Sequence, residues 1–188
     1  MPSPAASTAT TRCVFHRFRS NRKGSAAVEF ALVAPLFFAL LFAIIETAIM
    51  FFASQVLETI TQNSARQVMT GQAQAANYAL WSNFRQGVVC PQIPALFNCA
   101  NIGVDVESFP SFTSVALPNH YDANGNVDPS TLDYSPGGSC SIVVVQLFYQ
   151  WPLFVTGLGY NISNGPTGKR NLVATAAFRN EPYAGACG

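Results

Sequence analysis

The sequence predicts an α+β fold shaped like a lollipop, with one long N-terminal transmembrane helix that continues into a small head built around an antiparallel sheet. Residues 30–53 form an almost unbroken apolar run, which is long enough for a membrane-spanning helix. Strand-like, β-branched segments appear only after Cys90. Only 10% of the 188 residues are charged and the mean hydropathy is +0.24, whereas an average soluble domain carries about 25% charged residues. This composition excludes an intrinsically disordered chain and disfavours a freely soluble one.

The charges are distributed unevenly along the chain. Five basic residues and no acid occur before residue 24: Arg12, Arg17, Arg19, Arg22 and Lys23. The rest of the chain carries five basic and nine acidic residues, a net charge of −4. A protein that binds nucleic acid needs a basic face, so we expect no nucleic-acid partner.

The apolar run is predicted to anchor the chain in a lipid bilayer. About 24 residues, from 30 to 53, cover a bilayer core that needs about 20. Because the basic residues precede the run, the positive-inside rule places residues 1–29 in the cytoplasm and the chain from about residue 54 outside it. A cleaved secretory signal would have an apolar region of only about 7–15 residues, so a retained signal-anchor is favoured. Glu46, the one acid in the run, is expected near its far end, where the carboxylate reaches the membrane interface.

One helix is predicted from Ser25 to Thr70. Pro35 is the only helix breaker in this span, and Gly71 follows as a stop signal. Membrane helices tolerate proline, so Pro35 is expected to kink the helix without ending it. The chain is thus predicted to comprise a basic cytoplasmic leader (1–24), the N-terminal helix (25–70, transmembrane about 30–53) and an α+β head (71–188).

The head is predicted to contain one short helix and three strands. The helix spans residues 72–86, and a long loop rich in Pro, Asn, Asp and Gly spans 117–139. Segment 102–107 alternates apolar and polar residues, which indicates a strand with one face in water. The run 141–151 is the best candidate for a central strand, and it is expected to form an antiparallel hairpin with a third strand at 171–179.

Four cysteines lie on the predicted outer side, where disulfides persist: Cys90, Cys99, Cys140 and Cys187. In an antiparallel hairpin the start of the first strand lies beside the end of the second, so we expect Cys140 to pair with Cys187. Cys90 and Cys99 are then left to close a compact loop. No C-x-x-C pair occurs and the chain has only two histidines, so neither a zinc site nor any other metal or cofactor is expected.

The junction between the basic leader and the apolar run reads RKGSAAVEF over residues 22–30. The carboxylate of Glu29 lies at the lip of an apolar helix, where an unpaired charge is costly. In one interpretation Glu29 simply lies among the lipid headgroups. In the other, a membrane peptidase cleaves between Gly24 and Ser25, and Glu29 then pairs with the new α-amino group of a neighbouring subunit.

Gly24–Phe30 and the helix that follows resemble type IV pilins, in particular the TadE-like pilin-related proteins of tight-adherence (Flp) pili. The resemblance extends over roughly residues 20–183 through further segments: 65–72, Cys90 and Cys99, 143–152 and 174–183. It implies a pilin-like fold and a structural, non-enzymatic role in the biogenesis of an adhesive bacterial pilus. It also implies cleavage at Gly24–Ser25 by a prepilin peptidase and an assembly or recognition role for Glu29 and Phe30.

The same resemblance implies the partners and the location of the chain. The partners are the prepilin peptidase, other pilin subunits, the inner-membrane pilus assembly platform and the lipid bilayer. The chain would cross the inner membrane once, with its N-terminus in the cytoplasm and its head in the periplasm, or would enter the extracellular pilus. Major Flp pilins are far shorter, so the chain resembles a minor pilin or pseudopilin.

Three other kinds of function can be compared with the sequence: an uncleaved anchor, a calcium site and an enzyme. A permanently anchored periplasmic binding or scaffold protein, never cleaved, would have the same helix. Asp122–Asp128 alternates side chains that could hold Ca²⁺, but its Gly is fourth and the twelfth position is Asp133, whereas an EF-hand needs Gly sixth and Glu twelfth. An Asn-Gly turn is the simpler interpretation. His120 is the only histidine beyond the leader and has no matching nucleophile motif, so no catalytic residues are expected.

Overall fold

The computed structural model of the chain describes residues 24–155, 160–165, 168–183 and 187. Residues 1–23, which make up all of the predicted leader except Gly24, lie outside the described residues. The described chain divides into two units, with the boundary between Ile44 and Ile45. We refer to them as the N-terminal unit and the C-terminal unit.

The N-terminal unit is the first part of a long helix. Helix α1 spans Ser25–Met69, and Pro35 lies inside it without ending it. Gly71 follows with φ 79°, a left-handed conformation that glycine adopts readily and that commonly ends helices. Among the described residues only α1 is long and apolar enough to cross a membrane, and its most apolar 18-residue window has a mean hydropathy of 2.5 with none of it buried. A signal sequence would satisfy the same test of length and composition.

The C-terminal unit contains a three-stranded antiparallel sheet, whose strands are β1 (Ile102–Phe109), β2 (Ile142–Trp151) and β3 (Arg170–Arg179). The strand order is β1-β2-β3, so β2 is central and pairs with both neighbours. Its sequence explains this position, because an apolar, β-branched strand is suited to burial on both faces. The predicted α+β class, the central strand and the β2–β3 hairpin are therefore confirmed.

The main core lies between the sheet and the later part of α1. Leu57, Ile60 and Val68 recur at helical spacing on α1 and are almost fully buried. They belong to one apolar cluster with alternate residues of β2, including Val143 and Val145. The same stripe extends back to Met50 and Ala53, so the end of the predicted transmembrane run contributes to the core of the C-terminal unit.

The prediction that β1 has one face in water is wrong. Gly103 and Asp105 are buried along with their apolar neighbours, because the segment 120–134 covers this second face of the sheet. A Cβ atom on Gly103 would lie 3.1 Å from a methyl group of Val127, which shows how closely the segment approaches. The long loop is thus a second packing layer.

The predicted helix at residues 72–86 is replaced by two short helices. These are α2 (Gln72–Ala75) and α3 (Trp81–Phe84), and a π-helical turn at Arg85–Val89 follows α3. Asn77 between them has φ 55°, and a left-handed residue cannot continue a right-handed helix. Phe84 is buried, whereas Tyr78 and Trp81 are only partly buried.

Candidate assembly site

The predicted cleavage junction lies at the start of α1. Ser25 is the first residue of the helix, and the side chains of residues 25–30 are all exposed. Apart from the adjoining backbone, no described heavy atom lies within 4 Å of the position that a Cβ on Gly24 would occupy. The Gly24–Ser25 bond therefore lies in open space at a helix end, as far as the described residues are concerned.

Glu29 lies one helical turn after Ser25. The Ser25 hydroxyl donates a hydrogen bond of 2.9 Å to Oε1 of Glu29. Residues four apart lie on the same helix face, so the carboxylate is held beside the residue that cleavage would make the N-terminus. Phe30 follows with 68% of its surface exposed. The four predicted junction residues thus lie together, with Gly24 just before α1 and Ser25, Glu29 and Phe30 within its first two turns.

The N-terminal unit exposes its large apolar side chains almost without interruption. Those with at least half of their surface exposed are Val28, Phe30, Leu32, Val33, Leu36, Phe37, Leu40, Phe42 and Ile44. An apolar surface of this extent is unstable in water and marks a membrane or protein contact. A bilayer and the helices of neighbouring subunits are the two environments that fit a bare apolar helix.

The carboxylate of Glu46 is buried among other residues of the C-terminal unit, whereas the sequence predicted that it reaches the membrane interface. Glu46 is 7% exposed, and its carboxylate accepts hydrogen bonds from the backbone N–H groups of Phe154 and Val155, the latter at 3.1 Å from Oε2. The adjacent Thr47 hydroxyl bonds to the hydroxyl of Tyr160. Glu46 lies four residues before Met50, on the helix stripe that faces the core, so its carboxylate fastens the chain that leaves β2.

A second polar cluster is buried under the covering segment. His120 and Asp105 are 2% and 1% exposed, and the distance from His120 Nε2 to Asp105 Oδ2 is 3.4 Å. The other oxygen of Asp105 accepts a 2.8 Å hydrogen bond from the backbone N–H of Asp133. His120 Nδ1 lies 3.1 Å from the hydroxyl of Thr131, which itself donates to the carbonyl of Asp128 at 2.9 Å. Because that hydroxyl proton is engaged, Nδ1 must be the donor in its contact with Thr131.

This cluster fastens the covering segment to the sheet. The order Asp105, His120, Thr131 is that of a hydrolytic triad, but the hydroxyl donates to a backbone carbonyl and is not activated by the ring. Burial raises the pKa of Asp105, an effect that the Asp133 N–H and His120 partly oppose. No periodic pattern predicted these contacts, because His120 lies in a segment without regular secondary structure.

The 122–128 segment is a tight turn. Asp122 Oδ1 accepts hydrogen bonds of 2.8 Å from the backbone N–H groups of both Asn124 and Asn126, and Gly125 has φ 73°. The N–H of Asn126 lowers the pKa of Asp122. The turn interpretation of this segment therefore fits the structure, and the described residues contain no group of three or more side chains suited to a metal ion.

The cysteines form two disulfides, Cys90–Cys99 and Cys140–Cys187, with Cα–Cα distances of 5.6 and 5.5 Å. This is the connectivity that the hairpin geometry predicts. The second bridge joins the chain before β2 to the chain after β3, since Ile142 lies opposite Arg179 in the sheet. Two bridges suggest an oxidising compartment outside the cytoplasm.

An exposed, membrane-length N-terminal helix and a disulfide-bonded unit in which that helix packs on an antiparallel sheet define a pilin-like α+β protein. Residues 24–66 match the family model of the TadE-like proteins. This segment is similar to the TadE-like proteins, and the similarity indicates a role related to the Tad pilus. Residues 67–188 lie outside the match, so the resemblance of the later segments stays a prediction. No curated protein and no solved structure matches the chain.

Proposed function

We propose that this chain is a structural subunit for the assembly of an adhesive tight-adherence pilus, a minor pilin or pseudopilin that a prepilin peptidase cleaves between Gly24 and Ser25. The observation that carries the proposal is the junction itself. Gly24, Ser25, Glu29 and Phe30 lie exposed at the start of a membrane-length apolar helix, within the segment that matches the TadE-like family. The role is assembly and contact with other subunits, without catalysis.

The proposed topology follows from charge and from the disulfides. The basic leader stays in the cytoplasm, the first part of α1 crosses the inner membrane, and the C-terminal unit lies in the periplasm. Two disulfides in that unit support an oxidising compartment. After cleavage the subunit passes to the inner-membrane assembly platform, where the exposed apolar face of α1 exchanges lipid for neighbouring pilin helices.

Glu29 is proposed to direct this exchange. Cleavage gives Ser25 an α-amino group, whose usual pKa of about 7.7–8.0 leaves it mostly cationic at neutral pH. A carboxylate without a cationic partner is costly among apolar helices, so pairing with a neighbour's amino terminus favours one register of assembly. Before assembly the Ser25 hydroxyl supplies a local partner at 2.9 Å.

The replacement Glu29→Ala tests the proposal. The variant is expected to be inserted and cleaved normally but to yield few pili, because the neighbour's amino group loses its partner. Glu58→Ala is the matched control, since Glu58 is also on α1 and, among the described residues, bonds only to the Gln62 side chain one turn away. Glu46→Ala is unsuitable as a control because it removes a buried contact.

Electron microscopy of sheared pili and immunoblots of membranes give the two readouts. Wild-type piliation in the Glu29→Ala strain would contradict the pairing. If the chain is never cleaved and pili form without it, the alternative function is favoured. The chain would then be a permanently anchored periplasmic binding or scaffold protein.

A further inference from the structure

The C-terminal unit contains a cavity far along the chain from the assembly junction. Its volume is about 270 Å³, just below the ~300–1,000 Å³ of sites for drug-sized ligands, so it suits a small ligand. Five polar or aromatic side chains among its lining define its chemistry: Trp81, Arg85, Asn101, Gln150 and Lys169. The remaining lining is largely apolar and includes Ile102 and Leu132.

Positively charged side chains line the cavity, although the part of the chain that contains it, residues 71–188, has a net negative charge. Residues 71–188 carry four Lys and Arg residues and six Asp and Glu residues. Two of the four cations, Arg85 and Lys169, line the cavity, and its described lining contains no carboxylate. Like charges collected in a concave site raise the local concentration of the opposite charge. An anionic ligand is therefore favoured.

Arg85 is held in place before any ligand binds. Its guanidinium carbon lies 5.0 Å from the centroid of the Trp81 ring, and Nη1 donates to the carbonyls of Ala100 and Ile102 at 3.1 and 3.2 Å. Nε is buried and has no hydrogen-bond partner among the described residues. Since Nε is shielded from the cavity and Nη1 is bonded to the backbone, Nη2 is the guanidinium nitrogen left to donate a charged hydrogen bond to a carboxylate.

Two amides add sites for hydroxyl groups. Gln150 Nε2 donates to the Gly125 carbonyl at 3.0 Å and to Asn171 Oδ1 at 3.2 Å, which fixes the side chain and leaves its oxygen as an acceptor. Asn101 is exposed, and its side chain makes no hydrogen bond within the described part of the chain. The fixed oxygen of Gln150 accepts from a hydroxyl and repels a second anionic group, so a polyhydroxylated ligand with one carboxylate fits best.

We infer that this cavity binds an acidic monosaccharide of the hexuronate class, with its carboxylate on Arg85 and Lys169 and its hydroxyls on Asn101 and Gln150. This activity goes beyond a role in pilus assembly and does not depend on cleavage or on Glu29. Such a site would allow the C-terminal unit to bind the acidic sugars of a surface polysaccharide.

Isothermal titration calorimetry on the full chain in detergent micelles tests the inference, with galacturonate and glucuronate as probes. Galactose lacks the carboxylate, whereas acetate and inorganic phosphate lack the ring hydroxyls. A hexuronate is expected to bind in a saturable manner and roughly tenfold or more tighter than each of these three, because a charged hydrogen bond is worth about that factor. Absence of saturable hexuronate binding, or equal binding of galactose, acetate or phosphate, would overturn the assignment.

Variants locate the site. Arg85→Lys and Lys169→Gln are each expected to weaken hexuronate binding several-fold or more, the first because an ammonium cannot bond to the two backbone carbonyls and the ligand with the geometry of the guanidinium. Lys169 is exposed, so its replacement leaves folding intact and keeps the test valid if Arg85→Lys is unstable. Arg66→Gln removes an exposed cation from α1, outside the cavity, and should leave the affinity unchanged. Equal affinity in wild type and Lys169→Gln, or equal losses in Lys169→Gln and Arg66→Gln, would contradict the inference.

Discussion

At the residue scale, the buried acid of β1 shows what sequence alternation can and cannot predict. Asp105 occupies a position that alternation assigns to water, and on an uncovered sheet it would face water. It is buried because a segment about twenty residues further along the chain returns to cover it with His120 and Leu132. Glu46 is the converse case, since its spacing to Met50 placed it on the buried stripe of α1. Composition suggested an exposed carboxylate, whereas helical periodicity contained the correct answer.

The first prediction at this scale concerns Asp105. Asp105→Asn keeps an acceptor for the Asp133 N–H and adds a donor to His120 Nε2, so stability at pH 7 should be equal to or above that of wild type. Asp105→Ala leaves the buried Asp133 N–H without its acceptor and removes the 3.4 Å contact with His120 Nε2, which should lower stability by about 1–3 kcal/mol. Urea unfolding followed by near-UV circular dichroism measures both. A loss in Asp105→Asn as large as that in Asp105→Ala would contradict the assigned hydrogen bonds.

The same carboxyl predicts a pH dependence. Burial raises the pKa of Asp105, and burial together with the charge of Asp105 raises that of Glu107, while Asp133 adds a like charge and His120 opposes both shifts. A raised pKa in the folded state means that the stabilising contribution is present below the usual pKa of about 3.9–4.3 and is lost as the pH rises through the folded value. Asp105→Asn should flatten this decline of the free energy of unfolding with pH. An unchanged slope of that free energy against pH would contradict the prediction.

At the element scale, the strands were predictable from the sequence, whereas the short helices α2 and α3 were not. The β2 run is apolar on both faces, which is typical of a central strand. The disulfide between Cys140, before β2, and Cys187, after β3, agrees with the register of the hairpin. The break between α2 and α3 depends on one left-handed residue, Asn77, in an otherwise helix-compatible stretch. Single backbone angles of this kind leave little trace in periodicity.

A prediction at the element scale compares the two disulfides. The bridges Cys90–Cys99 and Cys140–Cys187 span 9 and 47 residues. In the chain-entropy model a bridge stabilises more when it closes a longer loop, so replacing Cys140 and Cys187 together with serine should cost about 1.4 kcal/mol more than the same change at Cys90 and Cys99. The long bridge also restrains the chain after β3, where the Glu181 N–H bonds to the Met69 carbonyl at 2.9 Å. Equal losses in the two double variants would show that loop closure is not the main effect.

At the scale of the whole molecule, one helix has two different environments. Residues 25–44 of α1 expose apolar side chains, whereas from Glu46 onward one face of the same helix is buried in the C-terminal unit. Length and hydropathy were enough to predict this helix, because a long, almost unbroken apolar run is typical of a membrane-length helix. Its orientation stays a prediction from the charge asymmetry. The cavity at Arg85 and the cluster at His120 were not predictable, since each joins residues from segments that are distant in the sequence and have no shared pattern.

The central claim is that the chain is a cleaved pilin-like subunit, and the mature N-terminus tests it most directly. Intact-mass and peptide mass spectrometry should be applied to the protein extracted from membranes and to the sheared surface fraction. The account predicts Ser25 as the first residue, with Gly24 and everything before it removed. A mature chain that still starts at Met1, or one that starts near Gln55 after removal of the whole apolar run, would contradict the account.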